Sequence, residues 1–222
     1  MYTRNDRDPV TPAEFWTVVV FVGFVFLAAG LEVFTDYQPG KAVVVFFFLA
    51  WLPLLALHEL AHAWVARLFG WHVSEVVVGT GKVMRYFRVG ELTVELRLIP
   101  VEGFAMIGPP SGRGGGWKHA LIYFAGPGAE LLVFFALLAL FGWTQLTTLG
   151  NDLGLTVVQG LAAAALAGAV LNLIPHAARS GESWVANDGL GILQSLFRSD
   201  RPPNHRRAYT DDPHDSADWW KR

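Results

Sequence analysis

Apolar residues fill long blocks of this chain, and in one stretch they alternate with polar ones instead. Four blocks have the length of a membrane-crossing helix: 15–34, interrupted late by Glu32; 41–69; 119–142; and 157–174, whose Ala and Gly suit close helix approach. Between the second and third the period changes. Val76, Val77 and Val78 precede a kink at Gly79, Thr80 and Gly81, and Leu92, Val94, Leu96 and Leu98 then alternate with Thr93, Glu95 and Arg97. That two-residue period predicts strands, with Arg88, Val89, Gly90 and Glu91 as the turn, so an antiparallel hairpin over 74–103 follows the second helix.

The punctuation fits this outline. The stretch 36–41, DYQPGK, reads as a tight turn, and Gly70 ends the second span as a C-cap glycine does. Residues 100–116, rich in Gly and Pro, read as a loop; Gly126, Pro127 and Gly128 interrupt the third span; 143–156 is a short polar turn. After the fourth span, 176–186 reads as irregular, and Asn187 or Asp188 caps a short helix through Phe197. A polar segment, 1–14, and a flexible tail, 199–222, flank one membrane domain over 15–198. The expected fold is a mainly α membrane protein: four transmembrane helices with a small antiparallel β-sheet after the second.

Composition agrees. The 222 residues are 53% hydrophobic and 16% charged, too apolar for an ordinary soluble domain. The formal charge of -2 gives no nucleic-acid signal, and without cysteine any metal must be held by His, Asp or Glu. Of the 17 basic residues only Lys41 falls on the side opposite the termini, so the excess of positive charge puts both termini and the hairpin in the cytoplasm.

The chemistry lies in the second span, where His58, Glu59 and His62 form HExxH. Histidines at i and i+4 stand about 6 Å apart on one helical face, so two imidazoles can hold one metal ion. Glu59 borders that face and can take a proton from a metal-bound water. Each ionisable side chain at mid-bilayer costs roughly 2.5 to 3.5 kcal/mol, so three within about one turn need a compensating partner, and a metal is the natural one. A hydrolytic site wants a third protein ligand. Asp188, His176 and Glu182 are candidates near the cytoplasmic face and Glu130 is a mid-span alternative; Asp188, an acid at a helix start just after the fourth span, is the first choice. His72 and His119 read as interfacial residues, and Asn172 as either a ligand or substrate contact or a helix-packing polar group.

These motifs together resemble the site-2 protease family of intramembrane zinc metalloproteases. His58, Glu59, Leu60, Ala61 and His62 match its metal-binding motif; Gly79 to Gly81 and RLIPVEG at 97–103 look like its glycine-marked hairpin; Ala125 to Pro127 resembles its AGP segment; Asn172 to Pro175, then Asp188 and Gly189, resemble its NxxP and DG elements. The resemblance implies a core of three membrane helices, Zn2+ held by His58, His62 and Asp188, and Glu59 as catalytic base. It further implies that Asn172, Gly79, Gly81 and Gly103 meet the substrate or transition state. The implied partners are the lipid bilayer and a membrane-protein substrate such as a single-span regulator, in a bacterial cell membrane. Two departures stand out: twelve residues, HAARSGESWVAN, separate Pro175 from Asp188, and Glu130 stands where an asparagine often follows the AGP segment.

The expected function is therefore an intramembrane zinc metalloendopeptidase. The competing reading is a catalytically silent zinc-binding scaffold or client-binding pseudoprotease, against which the intact His58, Glu59 and His62 argue. A di-iron hydroxylase would need more clustered histidines than these seven.

Overall fold

Among the described residues of the computed structural model, three helices are long and apolar enough to cross a membrane: Pro39–Leu68, Gly116–Thr147 and Leu153–Leu173. The structure describes residues 39–108, 116–180 and 183–197, together with scattered positions between 16 and 35. The fourth expected span, 15–34, lies largely outside the described residues, as do the segment 1–14 and the tail 199–222. The described positions within 15–34 are helical, and the ring of Phe26 lies 6.5 Å from that of Phe48.

Helix α1, Val43–Leu68, follows a single 3-10 turn at Pro39–Ala42, the described end of the turn expected over 36–41. Its polarity is inside out. His58, Glu59, His62, Ala63 and Ala66 face the protein, whereas Leu57, Leu60, Trp64 and Leu68 are exposed, as suits a helix whose solvent is hydrocarbon. The helix ends as read: Gly70 adopts φ 74, its N–H donates to Arg67 O, and the Trp71 N–H reaches back to Ala66 O. Those two bonds make a Schellman stop, which turns the chain directly into the first strand.

Strands β1, His72–Val89, and β2, Leu92–Gly108, pair antiparallel around the turn expected at Gly90. Both are longer than the hairpin expected over 74–103, and each bends. Residues 72–78 pair with 103–108, while residues 75–78 also pair with 93–96 and 85–89 pair with 92–96. The first leg of β1 therefore lies between two legs of β2, and the bend falls at Gly79 and Gly81, whose φ values of 93 and 80 suit glycine. One expectation changes here: much of the loop read over 100–116 is strand, to Gly108. Glu95, on the central leg of the sheet, is buried and paired with Arg97 at 3.1 Å.

Helix α2, Gly116–Thr147, runs unbroken through Pro127; its break comes later, at Gly142 (φ 77, ψ 160). Gln159 closes the turn to the next helix by donating to Gln145 O and Thr148 O. Asp152 caps helix α3, Leu153–Leu173, whose Ala162, Ala164, Ala165 and Ala169 are buried against the other two helices, the close packing expected of that composition. The segment 176–186 is not irregular: Ala177–Ser180 (β3) and Ser183–Ala186 (β4) form a second hairpin. Helix α4, Asp188–Phe197, follows at once and packs on α2.

Candidate metal centre

His58 and His62 project from α1 into a cavity of about 590 Å³ lined by the three long helices, the β1–β2 sheet, β4 and the start of α4. Asp188 arrives from α4 to meet them. Its Oδ2 lies 2.9 Å from His58 Nε2 and 3.4 Å from His62 Nε2, and one ligand atom from each of the three residues falls within 4.8 Å of the others. His58 and His62 are 3% and 7% exposed.

The donor set fits a cation. His62 Nδ1–H donates to Ile122 O at 2.6 Å, so in the neutral ring Nε2 presents a bare lone pair to the Asp188 carboxylate. Two acceptors facing each other need a positive charge between them. The space for one is also present. On α2, a β-carbon at Gly126 would stand 2.5 Å from His58 Nε2 and closer still to His62 Nε2, and only the missing side chain leaves that place open. His58, His62 and Asp188 are thus the residues that could hold a metal ion.

Asp188 lies outside the three spans. Its burial alone would raise the carboxyl, but the hydrogen bonds it accepts from His58 and His62 when those rings carry a proton on Nε2 outweigh that and hold it down at about 2. It is a carboxylate throughout the neutral range, as a ligand must be.

What carries Asp188 there is Asn187. Its Oδ1 accepts from the N–H groups of His176 and Leu190, and its Nδ2 donates to Asn172 O and Ile174 O at 2.9 and 2.7 Å. One side chain thereby caps α4 and ties it to the end of α3. The sequence signal was present, an Asn at a helix start, but it showed only a cap and not the grip on α3.

The other expected residues divide. Glu59, 5% exposed, lines the cavity beside Gly103 of β2; a β-carbon there would stand 2.6 Å from Glu59 Oε1 and 2.7 Å from Val77 O. Gly79 and Asn172 also line the cavity, while Gly81 sits on the bend beyond its lining. The Asn172 amide donates to Gly168 O, one turn back in its own helix. Among the alternatives for third ligand, Glu130 lies on the far side of His58, 3.3 Å from Nδ1, His176 turns its Nδ1 to Ile174 O, and Glu182 falls outside the described residues. His72 is exposed, but His119 is more than interfacial: it lines the cavity and packs edge-on against Trp71 at 4.4 Å.

A family model described as peptidase family M50 matches residues 46–197, well over half of the chain. Zinc metalloprotease Rip1 of Mycobacterium tuberculosis is 34% identical over 109 residues, 43% of this chain and 27% of that protein. The protein of the same name from Mycolicibacterium smegmatis is 32% identical over 108 residues, 40% of this chain and 27% of that protein. The matched part spans about a quarter of the length of these relatives.

Proposed function

The chain belongs to peptidase family M50, and from that we propose that it is an intramembrane zinc metalloendopeptidase that hydrolyses peptide bonds in or near transmembrane segments of membrane proteins. The observation that carries the reading is the meeting of His58, His62 and Asp188 beside Glu59 at one cavity inside the membrane-spanning bundle. His58, His62 and Asp188 would hold Zn2+, which supplies Lewis acidity and makes water a nucleophile at neutral pH.

Glu59 is the catalytic base. Its carboxylate takes a proton from the attacking water and returns it to the amine that leaves when the C–N bond breaks. Asn172, Gly79 and Gly103 border the path of the reacting peptide, and the bend at Gly81 shapes it. A substrate helix hides its carbonyls in internal hydrogen bonds, so it must unwind first. The 103–108 leg of β2 offers the unwound segment an edge: it pairs with β1 on one side only among the described residues, and Gly103, Phe104, Ala105 and Ile107 line the cavity.

Four spans, with 15–34 the first, put both termini and the hairpin on the cytoplasmic face of a bacterial cell membrane, and a single-span regulator is the substrate class this suits. The test compares membrane proteomes of cells carrying the native chain and Glu59→Gln, with zinc measured in both purified proteins. Accumulation of an uncut membrane protein in the variant, zinc being retained, supports the reading. Identical proteomes would instead make the chain a silent zinc-binding scaffold.

A further inference from the structure

We propose that Glu130 is a positioning residue of the metal centre: its carboxylate takes the Nδ1–H of His58, holds that ring in the tautomer whose Nε2 is bare, and strengthens Nε2 as a donor. The proposal rests on the reading of His58, His62 and Asp188 as metal ligands.

Three residues of α2 make the case. Ile122, Gly126 and Glu130 are spaced four apart and so share one face of that helix. Gly126 stands against the two Nε2 atoms, Ile122 O takes the Nδ1–H of His62, and Glu130 Oε2 lies 3.3 Å from His58 Nδ1. One helical face therefore supplies the room for the ion and an acceptor behind each imidazole. The two acceptors differ: a neutral carbonyl behind His62, a carboxylate behind His58. A carboxylate behind a ligating imidazole raises its basicity more than a carbonyl does, so His58 becomes the stronger of the two donors.

The pair is poised rather than closed. His58 Nδ1 and Glu130 Oε2 are both buried without a hydrogen-bond partner, although they lie within reach of each other. Glu130 is 4% exposed and sits mid-helix in a membrane span, where an ionisable group without a task is disfavoured. Nor has the carboxyl much latitude. A β-carbon at Gly168 of α3 would stand 2.5 Å from Glu130 Oε1, so α3 closes in behind it. Its place on the Nδ1 side, opposite the Nε2 that faces Asp188, makes Glu130 an orienting group and not a fourth ligand.

The full chain in detergent or nanodiscs tests this by zinc competition against a chromophoric chelator. Glu130→Gln, which keeps an acceptor and loses the charge, should weaken zinc binding by about 10-fold, and Glu130→Leu, which loses both, by about 100-fold. The metal-free Glu130→Leu protein should unfold at a temperature no lower than the native chain, because it sheds a buried carboxylate. A purely structural role would do the reverse, lowering that temperature and leaving affinity alone. Should Glu130→Leu not fold, the isosteric Glu130→Gln decides. If native protein binds zinc, His58→Ala does not, and the folded Glu130 variants bind within about threefold of native, the proposal falls while the metal centre stands. Failure of the native chain to bind zinc overturns both.

Discussion

Asn187 and His176 hold each other twice, the Asn187 N–H donating to His176 O at 3.0 Å and the His176 N–H to Asn187 Oδ1 at 2.9 Å. The hairpin between them is thereby pinched shut at its base. Asp188 begins α4 just beyond the pinch, so the length of the excursion does not alter where that carboxylate arrives. Replacing the hairpin from Ala177 to Ala186 by two glycines should leave zinc stoichiometry at the native value. Asn187→Ala should lower stability by about 2 kcal/mol, since its side chain makes four hydrogen bonds, each worth about 1 kcal/mol and some regained from water, and should weaken zinc binding by at least about 10-fold. Equal zinc affinity in Asn187→Ala would refute the clamp.

The open place at Gly126 gives the sharpest prediction. Alanine is a better helix former than glycine, so Gly126→Ala would ordinarily be benign or stabilising inside α2. Here the added methyl falls between the imidazoles. The variant should fold, as judged by circular dichroism, yet bind no zinc by metal analysis; a zinc-loaded Gly126→Ala protein would refute the site.

Gly103 tests the proposed base, Glu59, separately from the metal. Any β-carbon there meets the Glu59 carboxylate and the Val77 carbonyl together. Gly103→Ala should retain zinc and lose at least about 100-fold in cleavage rate, the scale on which a misplaced proton-transfer group is felt. Native turnover in Gly103→Ala would detach Glu59 and the strand edge from the chemistry.

Acid should release the metal through the imidazoles and not through Asp188. A carboxyl held down at about 2 contributes its share of stability in full above the ordinary aspartate value of about 3.9, and loses it only as pH falls towards 2. The ligand imidazoles must shed a proton to bind at all. Zinc retained after dialysis should therefore drop with a midpoint above about pH 4. A midpoint below about pH 3 would transfer control to the carboxylate.

How much of this could be read beforehand depends on what each signal required. HExxH was legible because His58, Glu59 and His62 interrupt an apolar run, and the stop at Gly70 because a Schellman end leaves a local mark. The strand's extension from Phe104 to Gly108 was not, because Gly103 in isolation reads as the end of the hairpin, and its purpose emerges only with Glu59 packed against it. Gly126 and Pro127 look like a helix break for the same reason. The four-residue strands Ala177–Ser180 and Ser183–Ala186 are too short to show a period. Glu130 was noticed as a possible ligand, but a contact to the far nitrogen of a ring on another helix has no trace in linear order.

The 130 positions that separate His58 from Asp188 bear on biosynthesis. A nascent chain has both imidazoles inserted long before the ribosome reaches the DG pair, and until α4 folds against α2 and α3 the centre lacks Asp188. Until then the centre is incomplete, and the group that completes it comes from the last of the described helices.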